Sequence, residues 1–464
     1  MSAIHFSNFR LDEDKDCFLY IGELKNYGLN AFLKKALTRY FNRPFQFIAI
    51  VPDVLEQYNY DNLIVINPLV ESTDGECVLK KSCRINAREF MAAVSENPKV
   101  ISLVHQILRR QPKLFLNMYE SLPEMSLDRI EGVTILGPDK EIAARSNNKA
   151  VQMSALKEMV PVVDFKFCNG YQSLIDSTDQ LWSTWTDGIF VTKEYSAAGI
   201  NSTVASCKKD IEDKFNGDDT SYIISRFMPH TLDPTVLAVV ANQDDVFIAG
   251  VADQRIEDGN RFTGSTFPTT ASPEHTKELI RHTRTVGKWL AGQGYRGIFG
   301  CDYIITNENE VRFLEINARK QGTTLEFCCT LDQALGADAP NLPELELWAV
   351  VEGIFPANAR EMNPVLPPVH WGTYNYKIHQ PVFTETYIPQ QTREQETFEN
   401  VAKGRLKKDY LILEHIGTNF TLAEGAFLAR VVAVAQDRDS VDQGIVQGRK
   451  IIELTFTTQI KTER

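Results

Sequence analysis

Apolar and polar positions follow two rhythms along this chain, and its first part switches between them. Phe18-Leu-Tyr-Ile-Gly22, Phe45-Gln-Phe-Ile-Ala-Ile-Val51, Asn62-Leu-Ile-Val-Ile66 and Lys113-Leu-Phe-Leu-Asn117 are short apolar runs, which predicts strands. Ala31–Tyr40 and Val100–Leu108 place apolar residues at helical spacing. This alternation predicts a small parallel sheet flanked by helices. Gly132–Pro138 reads as another strand, stopped by a Gly-Pro breaker. Ser146-Asn-Asn-Lys149 then opens a helix expected to run through Met159, with Asn147 or Asn148 as N-cap, and Val160–Val163 returns to strand.

Further on, a strand ending in Lys193 leads into the small residues Ser196, Ala197, Ala198 and Gly199, which would let backbone N–H groups approach phosphate oxygens. Val236–Ala241 and Val246–Val251 predict a hairpin. Residues 254–268 read as a polar, Gly-containing loop carrying Arg255 and Arg261, either of which suits a substrate carboxylate. Pro273–Ala291 is a strongly periodic helix. Gly292-Gln-Gly-Tyr-Arg-Gly297 matches G-x-G-x-x-G literally, but the dinucleotide fingerprint needs the strand first and the helix second. Here the order is reversed, so these glycines read as a helix C-cap and turn.

The most informative stretch follows. Ile298–Thr306 and Val311–Ile316 are β-branched and apolar, and Asn307-Glu-Asn-Glu310 lies between them. A hairpin without a bulge pairs Thr306 with Val311 and therefore Asp302 with Glu315. Directly opposed side chains have Cβ atoms about 4.5–5.5 Å apart, and like charges there repel. A cation between the carboxylates removes the conflict; the competing reading is a chance acidic pair on a surface hairpin. Asn317 emerges on the same face as Glu315, opposite Gly300, which leaves room. Two carboxylates and an amide oxygen suit Mg²⁺ alongside substrate phosphates. Arg319 has the same parity and a fork for phosphoryl or carboxylate oxygens.

Asp302 followed by Glu315-Ile-Asn317-Ala-Arg319 resembles the signature of the ATP-grasp ligases. The resemblance implies an α/β (α+β ATP-grasp) fold: an N-terminal parallel α/β domain over residues 1–138, a nucleotide domain over 139–345 in two parts (139–229 and 230–345), and a C-terminal α+β module over 346–464. It also implies roles. Asp302, Glu315 and Asn317 would hold Mg²⁺ on ATP, two ions in the family's usual arrangement, with Mn²⁺ as a substitute. Arg319 would steady the transferred phosphoryl group. Lys149 and Lys193 would reach phosphates, with Ser196 and Gly199 in the flap, which is poorer in glycine than is common. Phe227 and Met228 would border the adenine. Ser225 stands where a ribose-binding acid is usual, which shifts that role to Asp233. Gln321, Gly322 and Thr323 would begin the acyl-substrate side.

The implied activity is ATP-dependent carboxylate–amine ligation through an acylphosphate, on an amino acid or peptide. Transfer to a carrier-protein thiol and an inactive ATP-binding regulator are the alternatives. The implied partners are a small carboxylic acid and an amine, or a carrier protein; a homodimer is compatible with all of these.

Composition narrows the classes. The net charge of -12 over 464 residues argues against a nucleic-acid binder, which needs a basic footprint. The eight cysteines form no C-x-x-C pair, which favours reduced thiols and a reducing compartment. No run approaches the roughly 20 apolar residues of a membrane span, and the N-terminus lacks the pattern of a secretory signal. The expectation is a cytoplasmic protein with no membrane association.

Overall fold

Buried apolar runs at the start of the chain form a six-stranded sheet. The computed structural model describes residues 4–7, 10–55, 60–67, 70–73, 76–79, 85–194, 201–215, 217–218, 220–257, 261–362, 367–378, 382–384, 393–414, 420–422 and 427–460. The chain enters through β1 (Ile4–Ser7) and β2 (Asp16–Ile21), then α1 (Leu29–Phe41), β3 (Phe45–Val51) and β4 (Leu63–Ile66). A small hairpin, β5 (Val70–Thr73) and β6 (Glu76–Leu79), stands apart. Then come α2 (Ala87–Glu96), α3 (Pro98–Leu108), β7 (Leu114–Met118) and β8 (Val133–Leu136). The sheet order is β1-β4-β3-β2-β7-β8, parallel except at the β1–β4 edge. The expected parallel sheet is therefore present.

Next come α4 (Lys140–Ser146) and α5 (Lys149–Leu156). Asn148 is the N-cap of α5 and accepts from the Val151 N–H at 3.0 Å. The helix stops at Leu156, short of Met159, and Val160–Val163 forms no strand beyond one bridge from Val162 to Phe313. A four-stranded antiparallel sheet follows, ordered β11-β10-β12-β9. It is built from β9 (Phe165–Asn169), β10 (Ile189–Lys193), β11 (Ser202–Ala205) and β12 (Ser221–Arg226), with α6 (Tyr171–Leu181) and α7 (Lys208–Phe215) packed on it.

The largest sheet has nine strands. β13 (His230–Leu232), β14 (Pro234–Val240), β15 (Val246–Glu257) and β16 (Arg261–Phe267) precede α8 (Pro273–Gly292). The helix ends in a Schellman turn: Gly294, at φ 86°, donates to Ala291 O at 2.9 Å and Tyr295 to Leu290 O at 3.0 Å. That is the cap expected from the reversed glycine motif, with Tyr295 packing into the same core cluster as Leu290. β17 (Gly297–Thr306) and β18 (Val311–Asn317) form the acidic hairpin, followed by α9 (Thr324–Leu335) and α10 (Leu342–Val351). β19 (His370–Lys377), the small strands β20 (Val382–Thr384) and β22 (Phe420–Leu422), α11 (Glu394–Ala402), β21 (Lys408–Glu414), β23 (Phe427–Ala435) and α12 (Arg438–Ile460) complete the chain.

The sheet runs β13-β17-β14-β15-β16-β19-β23-β21, with β18 paired to β17. Strands from beyond residue 346 thus continue, through hydrogen bonds, the sheet that carries the acidic hairpin. One face packs on α9 through Leu237, Phe267, Phe327 and Trp371, and the other on α8 through Val236, Phe299 and Leu290. Among the described residues six cysteines are unpaired, and no helix is long and apolar enough to cross a membrane.

Candidate active site

The β17–β18 hairpin sets Asp302 opposite Glu315 and Gly300 opposite Asn317. The route to this register differs from the expected one. Ile305, not Thr306, pairs with Val311, and Thr306 N–H donates to Glu310 O at 3.0 Å. The loop is therefore one of three residues, with Asn309 in the left-handed region at φ 63°. A bulge at Leu314 between the Tyr303–Phe313 and Asp302–Glu315 pairs then shifts the register back. The two departures cancel at the acidic pair.

Asp302 is held on three sides. Thr235, its partner on β14, donates Oγ1 to Oδ1 at 2.7 Å, Gln321 Nε2 approaches the same oxygen at 3.5 Å, and Asn317 Nδ2 donates to Oδ2 at 2.8 Å. The room expected over Gly300 is filled: a Cβ there would lie 2.1 Å from the Gln321 amide. Gly300→Ala is therefore expected to expel the Gln321 side chain and destabilise the fold by about 1–3 kcal/mol. Chemical denaturation checks this; an unchanged midpoint would mean that Gln321 rearranges freely.

Lys149 joins the acids because α5 docks on β18. Gln152 bonds both the N–H and the C=O of Ile316, each at 2.8 Å. One turn earlier on the helix, the Lys149 ammonium contacts the Glu315 carboxylate. Burial draws its pKa down to about 8, while Asp302 pulls the other way. The start of α5 is also tied to the end of β10: Asn148 Nδ2 donates to Glu194 Oε1 at 2.5 Å, and Lys149 N–H to Glu194 O at 3.4 Å. Lys193, adjacent in sequence, pairs with Asp218 at 2.6 Å.

Arg319 spans two sheets. Its Nη2 donates to Asn317 Oδ1 at 2.8 Å and its Nη1 to the Tyr119 hydroxyl at 3.3 Å, and Glu120 lies 3.8 Å from its Nε. Asn147 completes the junction, accepting from Ala318 N–H at 2.7 Å and donating to Glu120 at 3.0 Å. Tyr119 and Glu120 directly follow β7, so the carboxyl edge of the parallel sheet faces the hairpin exit; ligands of open α/β sheets bind at such edges.

The other anticipated residues are distributed as follows. Ser196 and Gly199 lie outside the described residues. Phe227 N–H donates to Gly188 O at 3.1 Å, and Met228 O contacts His230 Nδ1 at 2.7 Å. Asp233 is paired with His230 Nε2 at 3.0 Å, and that hydrogen bond raises the histidine's pKa. Arg255 and Arg261 are not on a loop; they sit on β15 and β16. Arg255 pairs with Asp442 of α12 and Arg261 with Glu257 at 2.8 Å. Thr235 pairs with both Asp302 and Ala252, so Arg255, three positions on from Ala252, projects from the opposite face of the sheet to Asp302. The structure does not bring these arginines to the acidic pair. Gln321 and Gly322 form the turn into α9, and Thr323 is its N-cap, 3% exposed and making no cap bond.

Thr235, Tyr119, Glu120 and Arg430 were missed from the sequence. Thr235 gave no signal. Arg430 did, as a lone cation inside the apolar run Phe427–Val434.

Among the described residues no three or more His, Cys, Asp or Glu side chains are grouped as a metal site. An ion here would be held by two carboxylates and an amide, with the remaining ligands from a bound molecule. That donor set is all oxygen and fits Mg²⁺.

Two paired acids on a hairpin, a lysine from a capped helix start and an arginine at the hairpin exit thus meet at one junction. The model of the ATP-grasp domain family matches residues 147–323, from just before Lys149 to Thr323. This stretch of the chain is therefore an ATP-grasp domain by its match to that family. The chain is 22% identical over 212 residues to the butirosin acyl-carrier-protein–L-glutamate ligase of Niallia circulans, covering 44% of this chain and 50% of that protein. It is 31% identical over 101 residues to the L-propargylglycine–L-glutamate ligase of Streptantibioticus cattleyicolor, covering 22% of this chain and 20% of that one. The chain thus matches half or less of these two relatives. Its fold is that of a biotin carboxylase–β,γ-ATP complex from Campylobacter jejuni, with TM-score 0.60 at 14% identity over 93% of this chain and 90% of that one. It is also that of a carboxyaminoimidazole ribonucleotide synthase from Aspergillus clavatus, with TM-score 0.58 at 12% identity over 96% and 100%.

Proposed function

We propose that this protein is an ATP-dependent carboxylate–amine ligase that forms an amide or peptide bond on an amino acid through an acylphosphate. The observation that carries the reading is the meeting of Lys149 with the opposed Asp302 and Glu315, two strand positions from Arg319's partner Asn317. Mg²⁺ bound by Asp302, Glu315 and Asn317 would supply charge neutralisation on the ATP phosphates. Lys149 and Lys193 lower the remaining negative charge, so that a substrate carboxylate can approach. The carboxylate oxygen attacks the γ-phosphorus, the bond to the bridging oxygen breaks and ADP leaves. The amine then attacks the acyl carbon, phosphate departs with the bonding pair, and the amine loses a proton. Phosphoryl transfer of this kind depends on positioning and electrostatics. Arg319, fixed between Asn317 and Tyr119, holds the charge that builds on the transferred group. Gln321, Gly322 and Thr323 line the acyl side, and the edge at Tyr119 and Glu120 lines the acceptor side.

L-Glutamate appears in the names of both ligase relatives, which favours an amino acid as one substrate. One of those names also contains an acyl-carrier protein, and this supports a second reading in which the partner is carrier-bound. A phosphate-release screen of paired acids and amines, with L-glutamate and a holo-carrier protein included, tests both. Release dependent on an acid–amine pair supports the first reading, and release only with holo-carrier supports the second. No release with any pair rejects the ligase. Lys193→Ala is expected to raise the ATP KM about 10–100-fold by removing a charge-assisted contact, with little change in thermal stability because Lys193 pairs with a largely exposed Asp218. An unchanged KM rejects the phosphate role.

A further inference from the structure

We infer that Arg430 on β23 is a positioning residue for the turn Gln321–Thr323, which makes the C-terminal strands a working part of the candidate site. On β23, Val432 and Val434 pack into the core that holds α9, while Val431 and Ala433 pack under α12. Arg430 shares the parity of Val432 and Val434 and so enters the α9 side of the sheet. It is 4% exposed on a strand face otherwise given to core packing. Its Nη2 donates to Gly322 O at 2.6 Å and to Glu326 Oε1 at 2.6 Å.

These contacts fix two points around the start of α9, the carbonyl of the turn and a side chain in the helix's first turn. The residues on either side of Gly322 are Gln321, which contacts Asp302, and Thr323, whose Oγ1 is buried with no partner. The reach is long: Gly322 and Arg430 are 108 positions apart. A core filler at this position needs only apolar volume, and a neutraliser of Glu326 needs only a charge. Holding a carbonyl and a carboxylate together from one terminal nitrogen needs a donor with several N–H groups on a side chain long enough to reach both, which Nη2 of Arg430 supplies. Without it, Gly322 and its neighbours are free to shift relative to Asp302, and displacements near 1 Å at a reacting centre cost about 10²-fold in rate.

The kinetic arm of the test rests on the ligase reading; the exchange arm does not. R430K keeps a charge for Glu326 but, on a side chain one atom shorter, loses the reach to Gly322 O. R430M/E326L removes both buried charges together, so neither is left unpaired. Both variants are expected to lower kcat/KM for the acid about tenfold or more, with ATP affinity by calorimetry within about twofold of wild type. In the ligand-free protein, the amides of residues 321–324 should exchange about tenfold faster in R430M/E326L, while those of α10 keep their rates. Wild-type acid kinetics and wild-type exchange in the double variant would show that Arg430 only neutralises Glu326, and overturn the proposal. An equal loss of ATP affinity would also overturn it, because the defect would then be general. If wild type shows no acid-dependent turnover, the ligase reading fails and the exchange arm alone decides. If the double variant does not fold, R430K carries both readouts.

Discussion

Glu315→Gln is expected to abolish acceptor-dependent ADP release, with a fall of about 10³-fold or more. The substitution keeps the shape of the side chain and removes one of two negative charges that face each other across β17 and β18. Repulsion across the pair disappears, and Tyr303–Phe313 pairing beside it is untouched, so the hairpin should stay folded. The loss is therefore functional. An amide is a weak ligand for a hard cation, and Asp302, which also accepts from Thr235 and Asn317, is then the one carboxylate left in the set. ADP formation in a coupled assay, with circular dichroism to confirm folding, decides the matter. Turnover near the wild-type rate would remove Glu315 from the site and leave the acidic pair as a feature of the hairpin alone.

The acidic pair was legible because the period of a strand is two and the turn between the strands is short and polar. What the sequence hid was the compensation. Neither the three-residue loop with a left-handed Asn309 nor the bulge at Leu314 has a sequence mark distinct from an ordinary polar turn and an ordinary leucine. The start of α5 was legible for a local reason, since Asn148 caps within three residues of itself. The reversed glycine motif was legible because a Schellman turn needs only the end of a helix and a glycine in a fixed place.

Arg255 and Arg261 show where local reading fails. Their surroundings are polar and contain glycine, which suggests a loop, but most of the segment is strand. Its polarity answers to α12, whose Asp442 lies 187 positions beyond Arg255, and to Tyr374 of β19, whose hydroxyl meets Glu257 at 3.3 Å. Charges satisfied across such distances carry no local pattern. The same holds for Tyr119, Glu120 and Thr235, which reach the hairpin exit only when two sheets converge there. Asp233 belongs here too: its partner His230 is close in sequence, yet nothing in the spacing distinguishes a carboxylate paired to a histidine from one waiting for a ribose.

Lys149→Met should separate function from stability more sharply than any other change. Burial holds the Lys149 ammonium down to about 8, with Asp302 opposing the shift and Arg319 adding to it. An ordinary lysine titrates near 10.5, so between about 8 and 10.5 the unfolded chain binds this proton more tightly than the folded one. The folded state therefore carries a full penalty for the charge below about 8, and the penalty fades as pH rises toward 10.5. Methionine removes the penalty and leaves an aliphatic side chain of similar length, which offsets the loss of the ammonium from Glu315. The variant's unfolding midpoint at neutral pH should therefore stay close to that of wild type. Its ATP KM, however, should rise about 10–100-fold, since a charge-assisted contact to phosphate is lost. The pH profile gives the sharper discrimination. In wild type the ATP KM should climb once pH passes about 8, as the ammonium discharges. In Lys149→Met that rise should be missing, because the group that titrates is gone. Parallel profiles in the two proteins would assign the titration elsewhere and take Lys149 out of phosphate binding.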